Sequence, residues 1–441
     1  MARKVFLSIL GTGYYEATRY YFDDYKTNYK TRFIQEATIK HFCSDWNEED
    51  KIVIFLTEKA RKTNWNDPAQ VNNNKGEYIG LSKILEKYPN LVVEDIPDGN
   101  TENEIWKVFQ TIYNHLDENA EVYFDITHAF RFLPMLLMVL INYAKLLKNI
   151  SVKSVTYGNY EAREKHQDGR EYSPVMKITP LSELQDWTNS INSFLKHGSS
   201  LGLKKLINKE YEKSSIQSLK QSSNKISEFT EMFSTLRGKK ILEGKIPSQL
   251  QEQLKIVEKK SDIAPLSPLI NALHEELQKY SHNNDSHNGL NAIEWCIDHD
   301  LIQQAATLMQ EMIVSIIIEN RHVLFTDFKS RINNNESTVK NLNKNKVFRE
   351  YVGSILGIVN TNKANKNERR GWAGKEYLQD LTEALLSNDK VLKFEDLYKS
   401  ISRERNSLNH GGMIDNIKST EIKDKIKEHH KEFISLFYQK N

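Results

Sequence analysis

Over the first 180 residues, short runs of β-branched and aromatic side chains alternate with longer amphipathic stretches. Residues 5–10, 52–57, 91–96, 121–126 and 152–157 have the length and composition of buried strands. Between them, residues 33–42, 78–88, 104–116 and 133–147 repeat apolar positions at helical spacing. This alternation predicts an α/β domain, a parallel sheet with helices on both faces and functional residues just beyond the carboxyl ends of its strands. Strand signals stop near residue 180. Leu184, Trp187, Ile191 and Phe194 then recur at helical spacing, and Ser182 with Gln185 reads as a capping box. Residues 197–285 are polar and rich in Ser and Lys, with breakers at Gly198, Gly202, Gly238, Gly244, Pro247, Pro265 and Pro268. Helical spacing returns with Ile293, Ile297, Leu301, Leu308, Met312 and Ile316, which read as core. The fold class is thus α/β plus all-α, in three parts: 1–180, a helical connector 181–285 and a helical domain 286–441.

Composition narrows the function classes. A chain of 441 residues is too long for one ordinary core. Its net charge of +2 gives no global attraction to nucleic acid, so any such site must be a local patch. Cys43 and Cys296 are the only cysteines, which excludes a disulfide framework, argues against a zinc site and fits a reducing cytoplasm. The apolar stretch before Gly11 is too short for a signal-peptide core. The run 133–144, interrupted by Asn142, is too short to cross a bilayer. No membrane association is expected.

Two loops of the N-terminal part carry candidate chemistry. Gly11-Thr12-Gly13-Tyr14 directly follows the first strand, where glycines let the backbone approach a ligand and amides can face an anion. A dinucleotide fingerprint needs a further glycine where Glu16 stands, so a nicotinamide cofactor is disfavoured. The second loop, 125–131, leaves the strand 121–126 and enters a helix with Pro134 in its first turn. There Thr127, His128 and Arg131 suit a phosphate beside a helix N-terminus. Asp125 serves equally well as a buried carboxylate that ties the loop. Tyr157-Gly158-Asn159 offers an aromatic face for a base, although Tyr157 also fits a core position.

Near the other end stand Arg405, Asn406 and His410, followed by Gly411 and Gly412. RNA cleavage without a metal needs a group that moves protons at the 2′-hydroxyl and the 5′-oxygen, and a cation for the phosphorane; His and Arg supply these. The plainer reading is a pair of surface residues at a helix end, where cations complement the dipole and glycine stops the helix. Positions five apart on a helix point about 140° away from each other. Two copies of the motif meeting across a twofold axis would supply both groups to one cleft. Basic stretches at 340–349 and 363–375, the latter with Arg369, Arg370 and Trp372, read either as a path for single-stranded RNA or as a solvated face.

The stretch from Leu10 to Tyr14, together with Tyr-Phe-Asp-Ile-Thr-His-Ala-Phe-Arg at 123–131, resembles the CARF domain, the CRISPR-associated Rossmann fold. Arg405-Asn406 with His410 resembles the R-x4-6-H motif of HEPN ribonucleases. In this order they resemble the type III CRISPR ancillary ribonucleases of the Csx/Csm kind. Ala129 departs from the glycine often found there and bears on loop shape. The resemblance implies a cyclic oligoadenylate, tetra-adenylate by the family's habit, bound by Gly11, Thr12, Gly13, Tyr14, Thr127, His128, Phe130 and Arg131. It implies Arg405, Asn406 and His410 as catalytic residues, no cofactor and no metal. It also implies a cytoplasmic homodimer or higher even oligomer, single-stranded RNA as substrate and 2′,3′-cyclic phosphate products. Two alternatives stand beside it: a ligand sensor or regulator without nuclease activity, and a HEPN toxin controlled by an antitoxin.

Overall fold

The computed structural model describes residues 2–66, 79–128, 132–260, 265–280, 283, 285–319, 322–335, 344–411, 413 and 417–439. The chain divides into two compact units, Met1–Gln185 and Asp186–Asn441. The first is an α/β unit; the second, among the described residues, is all helix and connecting loop.

The strands of the first unit are β1 (Lys4–Leu10), β2 (Arg19–Tyr21), β3 (Lys51–Leu56), β4 (Leu91–Asp95), β5 (Glu121–Asp125), β6 (Ser151–Gly158), β7 (Glu164–Lys165) and β8 (Glu171–Lys177). Their order is β2-β8-β6-β5-β1-β3-β4, with β7 paired to β8. The five strands read from the sequence form the parallel centre, β6-β5-β1-β3-β4. In β1, Val5 to Leu10 are all buried because both faces are covered, which is why the strand reads as a continuous apolar run. Val5, Leu7 and Ile9 face one layer, with Val108 and Ile112 of the helix Glu102–Asn114 and Leu137, Leu140 and Ile141 of the helix Leu133–Lys148. Phe6 and Leu10 face the other, with Phe33, Ile39, Leu81 and Leu85.

The edge departs from an all-parallel sheet. β8 runs antiparallel to β6, and β2 pairs parallel with β8. Neither strand carries a sequence signal: β2 has three residues, and β8, although paired on both sides, contains Pro174, which cannot donate to a ladder and reads against a strand.

The helix Thr179–His197 starts before the supposed capping box. Ser182 lies inside it and accepts from Lys145 Nζ at 2.8 Å, while Thr179 Oγ1 accepts from the Val155 amide at 2.9 Å. The capping-box reading is therefore wrong; those polar side chains tie the helix to its neighbours.

In the second unit the breakers behave as terminators or as first-turn residues. Gly198 and Gly244 have φ of +62° and +65° and lie outside helices, whereas Pro247 and Pro268 sit in the first turns of the helices Lys245–Lys260 and Leu266–Gln278. Phe229 and Phe233 of the helix Gln217–Ser234 pack edge-on and stacked against Trp295 of the helix Ser286–Asp298, with centroids 5.5 and 5.3 Å apart. The segment 291–318 is two helices, Ser286–Asp298 and Ile302–Ile318, separated at Asp300, whose φ is +59°. Among the described residues no helix is long and apolar enough to cross a membrane.

Candidate functional site

β1 leads by way of a helix to β3 on one side, whereas β4 leads to β5 on the other, so strand order reverses between β1 and β5. At such a point the loops beyond the strand ends diverge and leave a crevice. Both sequence-predicted loops emerge there: Gly11-Thr12-Gly13-Tyr14 after β1 and Ile126-Thr127-His128 after β5. Phe130 and Arg131 lie outside the described residues.

A buried carboxylate organises this edge. Asp125 accepts from Ser8 Oγ at 2.7 Å and from Thr127 Oγ1 at 2.6 Å, and the Thr127 amide adds a bond at 3.2 Å. Thr127 Oγ1 in turn accepts from the Gly158 amide at 2.8 Å, joining the end of β5 to the end of β6. Burial raises the Asp125 pKa, and the donations from Thr127 and Ser8 oppose that rise. The loop-tying reading of Asp125 is the one the structure adopts. The Thr127 hydroxyl is engaged inside the same tie.

The glycine loop is held from behind. Asn64, buried on the segment after β3, donates through Nδ2 to the carbonyls of Gly11 and Gly13, each at 2.8 Å. A Cβ on Gly11 would collide with the Tyr15 hydroxyl and lie 3.0 Å from His128 Cβ, so the close approach of the two loops requires glycine. Tyr15 stacks on the His128 ring with centroids 4.0 Å apart. Burial pushes the His128 pKa down to about 4, so its imidazole is neutral at physiological pH. Its Nε2 is buried with no hydrogen-bond partner among the described residues. Thr12 is half-buried, Gly13 and Tyr14 are exposed, and the Tyr14 hydroxyl accepts from Arg32 Nη1 at 2.8 Å. The sequence reading missed Tyr15, Arg32 and Asn64. Only Tyr15, adjacent to the glycine loop, had a local signal.

The second candidate site lies at the end of the helix Asp389–Asn409. Asn388 caps its start, accepting from the amides of Lys390 and Val391, and Val391, Phe394, Leu397 and Ile401 form its buried stripe. It stops at His410 because Gly411 takes φ of +62°, with the His410 amide donating to the Asn406 carbonyl at 3.0 Å and the Gly411 amide to that of Leu408 at 3.1 Å. Asn406 and His410 are exposed; Arg405 is half-buried, and its Nε is buried without a hydrogen-bond partner among the described residues. The preceding Glu404, 8% exposed, has Lys425 Nζ and His429 Nε2 at 3.9 and 3.7 Å from its carboxylate oxygens, a link to the helix Ser419–Tyr438. Arg369 is no RNA contact. It is buried and donates to the Ala364 carbonyl, Gln379 and Glu383.

Residues 5–161 match the family model described as "CRISPR system endoribonuclease Csx1, CARF domain". Over 142 residues the chain is 28% identical to the CRISPR-associated protein MJ1674 of Methanocaldococcus jannaschii, a match covering 30% of this chain and 22% of that protein. The chain thus spans about a fifth of the length of that relative. It is also similar, at 13% identity and a TM-score of 0.41, to Enterococcus italicus Csm6 bound to cyclic hexa-2′-fluoro-hexa-dAMP, with 99% of this chain and 93% of that one covered. The N-terminal unit is a CARF domain of the CRISPR-associated kind.

Proposed function

We propose that this CARF-bearing protein is a cyclic oligoadenylate-activated ribonuclease of type III CRISPR defence. Residues 1–180 bind the ring, 181–285 connect, and 286–441 form the HEPN ribonuclease. The observation that carries the reading is the presence, in one chain, of a CARF domain with its glycine and histidine loops at one crevice, and of Arg405 and His410 at a solvent-facing helix end.

At the first site, the amides of 11–13 and the side chains of Tyr14, Thr127, His128, Phe130 and Arg131 receive the ring. Asn64 restrains the glycine loop through its carbonyls, which leaves the loop's amides to face a phosphate. Neutral His128 offers Nε2 as a neutral hydrogen-bonding group rather than a charge.

At the second site, Arg405 stabilises the phosphorane, His410 transfers protons and Asn406 orients the His410 ring or a phosphate oxygen. The 2′-hydroxyl attacks the adjacent phosphate, the 5′-oxygen leaves with a proton, and a 2′,3′-cyclic phosphate remains. Because Arg405 and His410 diverge around the helix, the protein acts as a homodimer whose two motifs complete one cleft. Self-association is supported by an apolar stripe on the helix Leu133–Lys148, where Met135, Val139 and Tyr143 are exposed at i, i+4 and i+8 with Leu146 beside them.

The test incubates the protein with fluorescent single-stranded RNA, with and without cyclic tri-, tetra- or hexa-adenylate and in the presence of a metal chelator. Cleavage only with a ring, tetra-adenylate being the expected one, and its loss in His410→Ala support the reading. No cleavage with any ring leaves a sensor; cleavage without a ring leaves a toxin-like enzyme.

A further inference from the structure

The helical unit contains a cavity of about 680 Å³ that the catalytic motif does not itself account for. Its wall is apolar at Leu236, Ile241, Leu242, Leu308 and Met312, and polar or charged groups stand at Lys239, Glu243, Thr307, Glu311, Ser315 and Arg349. That volume, and a mostly apolar lining with a few converging polar groups, are those of a small-molecule or nucleoside site.

Its position follows from helix pairing. Gln303 Nε2 donates to Asn409 Oδ1 at 2.8 Å and Gln310 Nε2 donates to Ser402 Oγ, so the helix Ile302–Ile318 runs antiparallel to the motif helix. Counting inward from these two contacts brings Thr307 level with Arg405. Tyr398 stands seven residues before Arg405, on the same helix face. Burial raises its phenol pKa, the Glu311 charge adds to the rise, and Arg405 and Arg349 oppose it. Thr307, which lines the cavity, therefore stands level with Arg405 on the neighbouring helix.

The polar groups are arranged to read an edge. Arg349 donates through Nε and Nη2 to Glu311 Oε2 at 3.0 and 2.6 Å, through Nη2 to the Glu311 carbonyl at 2.8 Å and through Nη1 to Ser315 Oγ at 3.1 Å. Four bonds fix the guanidinium, and the arrangement directs both of its Glu311 side-chain bonds to one oxygen, leaving Oε1 available as an acceptor. Leu236, which lines the wall, occupies the left-handed region at φ +55°, where glycine is the usual residue.

We infer that this cavity is a base-binding subsite for the RNA strand, seating the base of a nucleotide adjacent to the scissile phosphate. The apolar wall takes the base face, Arg349 donates to ring nitrogen or carbonyl oxygen, and Glu311 Oε1 accepts from an exocyclic amino group. Bases that carry an amino group are preferred over uracil, which has none. The inference rests on the ribonuclease reading for its substrate, but the cavity can be judged separately.

Gly238 lines the cavity, and a Cβ built there meets nothing within 4 Å, so Gly238→Trp is the variant chosen to fill the space. Gly238→Ser is the control that leaves the space open. With ring-activated full-length protein, Gly238→Trp is expected to raise KM for a short RNA about tenfold, within what one stacked base contributes. It should also flatten the base preference at one position beside the cut, mapped by sequencing products of a randomised RNA, while kcat changes little. Glu311→Gln should weaken the preference for amino-bearing bases. An unchanged KM and an unchanged base profile in Gly238→Trp, with cleavage intact, overturn the inference. If no ring elicits cleavage, the ribonuclease reading fails and ligand-observed NMR decides the cavity. Binding of AMP, GMP or CMP to the full chain, weakened by Gly238→Trp and not by Gly238→Ser, sustains it. No binding to the wild type overturns it.

Discussion

Ser8→Ala tests whether the buried Asp125 tie holds the two ligand loops together. The substitution removes one hydroxyl from a residue 1% exposed, and with it the 2.7 Å bond to a carboxylate 3% exposed. It also deprives Gln35 Nε2 of one of its two acceptors, leaving the Ile9 carbonyl at 3.2 Å. A hydrogen bond to a charged group contributes about 1.5–3 kcal/mol, so a loss of about 2 kcal/mol is expected where Asp125 is ionised. Because the chain has two units, the loss is best read locally, by hydrogen exchange of peptides spanning 119–128 and 151–158. An opening easier by about 2 kcal/mol accelerates exchange about 30-fold. The pH dependence gives a second check. Burial raises the folded-state pKa of Asp125 above its unfolded value, so ionisation is unfavourable in the fold, and loss of the Ser8 donor raises that pKa further. The penalty of Ser8→Ala is therefore full above the variant's folded pKa and shrinks as the pH falls and Asp125 takes up its proton. Acceleration under about twofold at pH 8, against the 30-fold expected, or a penalty that grows on acidification, would refute the reasoning.

Other outcomes follow from the same geometry. Asn64→Ala leaves two loop carbonyls without their donor and should cost about 2 kcal/mol locally, weakening ring binding measured by calorimetry more than it alters basal RNA cleavage. Gly11→Ala forces Tyr15 off the His128 ring and should lower ring affinity while hydrogen exchange in β1 stays protected. His128, with its pKa depressed from the usual value near 6.5 to about 4 by burial, should show no protonation in NMR between pH 5.5 and 8. Because its folded pKa lies below the unfolded one, His128 should make the fold lose stability as the pH drops through that interval towards 4. His410→Ala, at an exposed position, should leave thermal unfolding unchanged within about 0.5 kcal/mol while removing RNA cleavage.

How much of this was legible beforehand differs by element. The five central strands were readable because β1 and β3 are buried on both faces and carry unbroken apolar runs. β2 and β8 were not, since an edge strand of three residues and one containing Pro174 have no period to detect. The end of the motif helix at His410 was readable from Gly411, whereas its start at Asn388 was not read. The basic stretch 363–375 misled, because nothing local tells a buried Arg369 from the exposed Arg370 beside it.

The sequence by itself determined the layer order of the first unit, the two loops at its strand ends and the divergence of Arg405 from His410. All three depend on periods of two or 3.6 residues and on residue type, which a local stretch carries. The tertiary structure alone decided what holds those residues. Ser8 meets Asp125 from 117 positions away, Asn64 reaches Gly11 from 53, and Arg349 reaches Glu311 from 38. Such pairings follow from strand order and helix packing rather than from any pattern along the chain. The Asp125 tie, the loop clamp at Asn64 and the cavity lined by Arg349 arise only when distant segments close on one another.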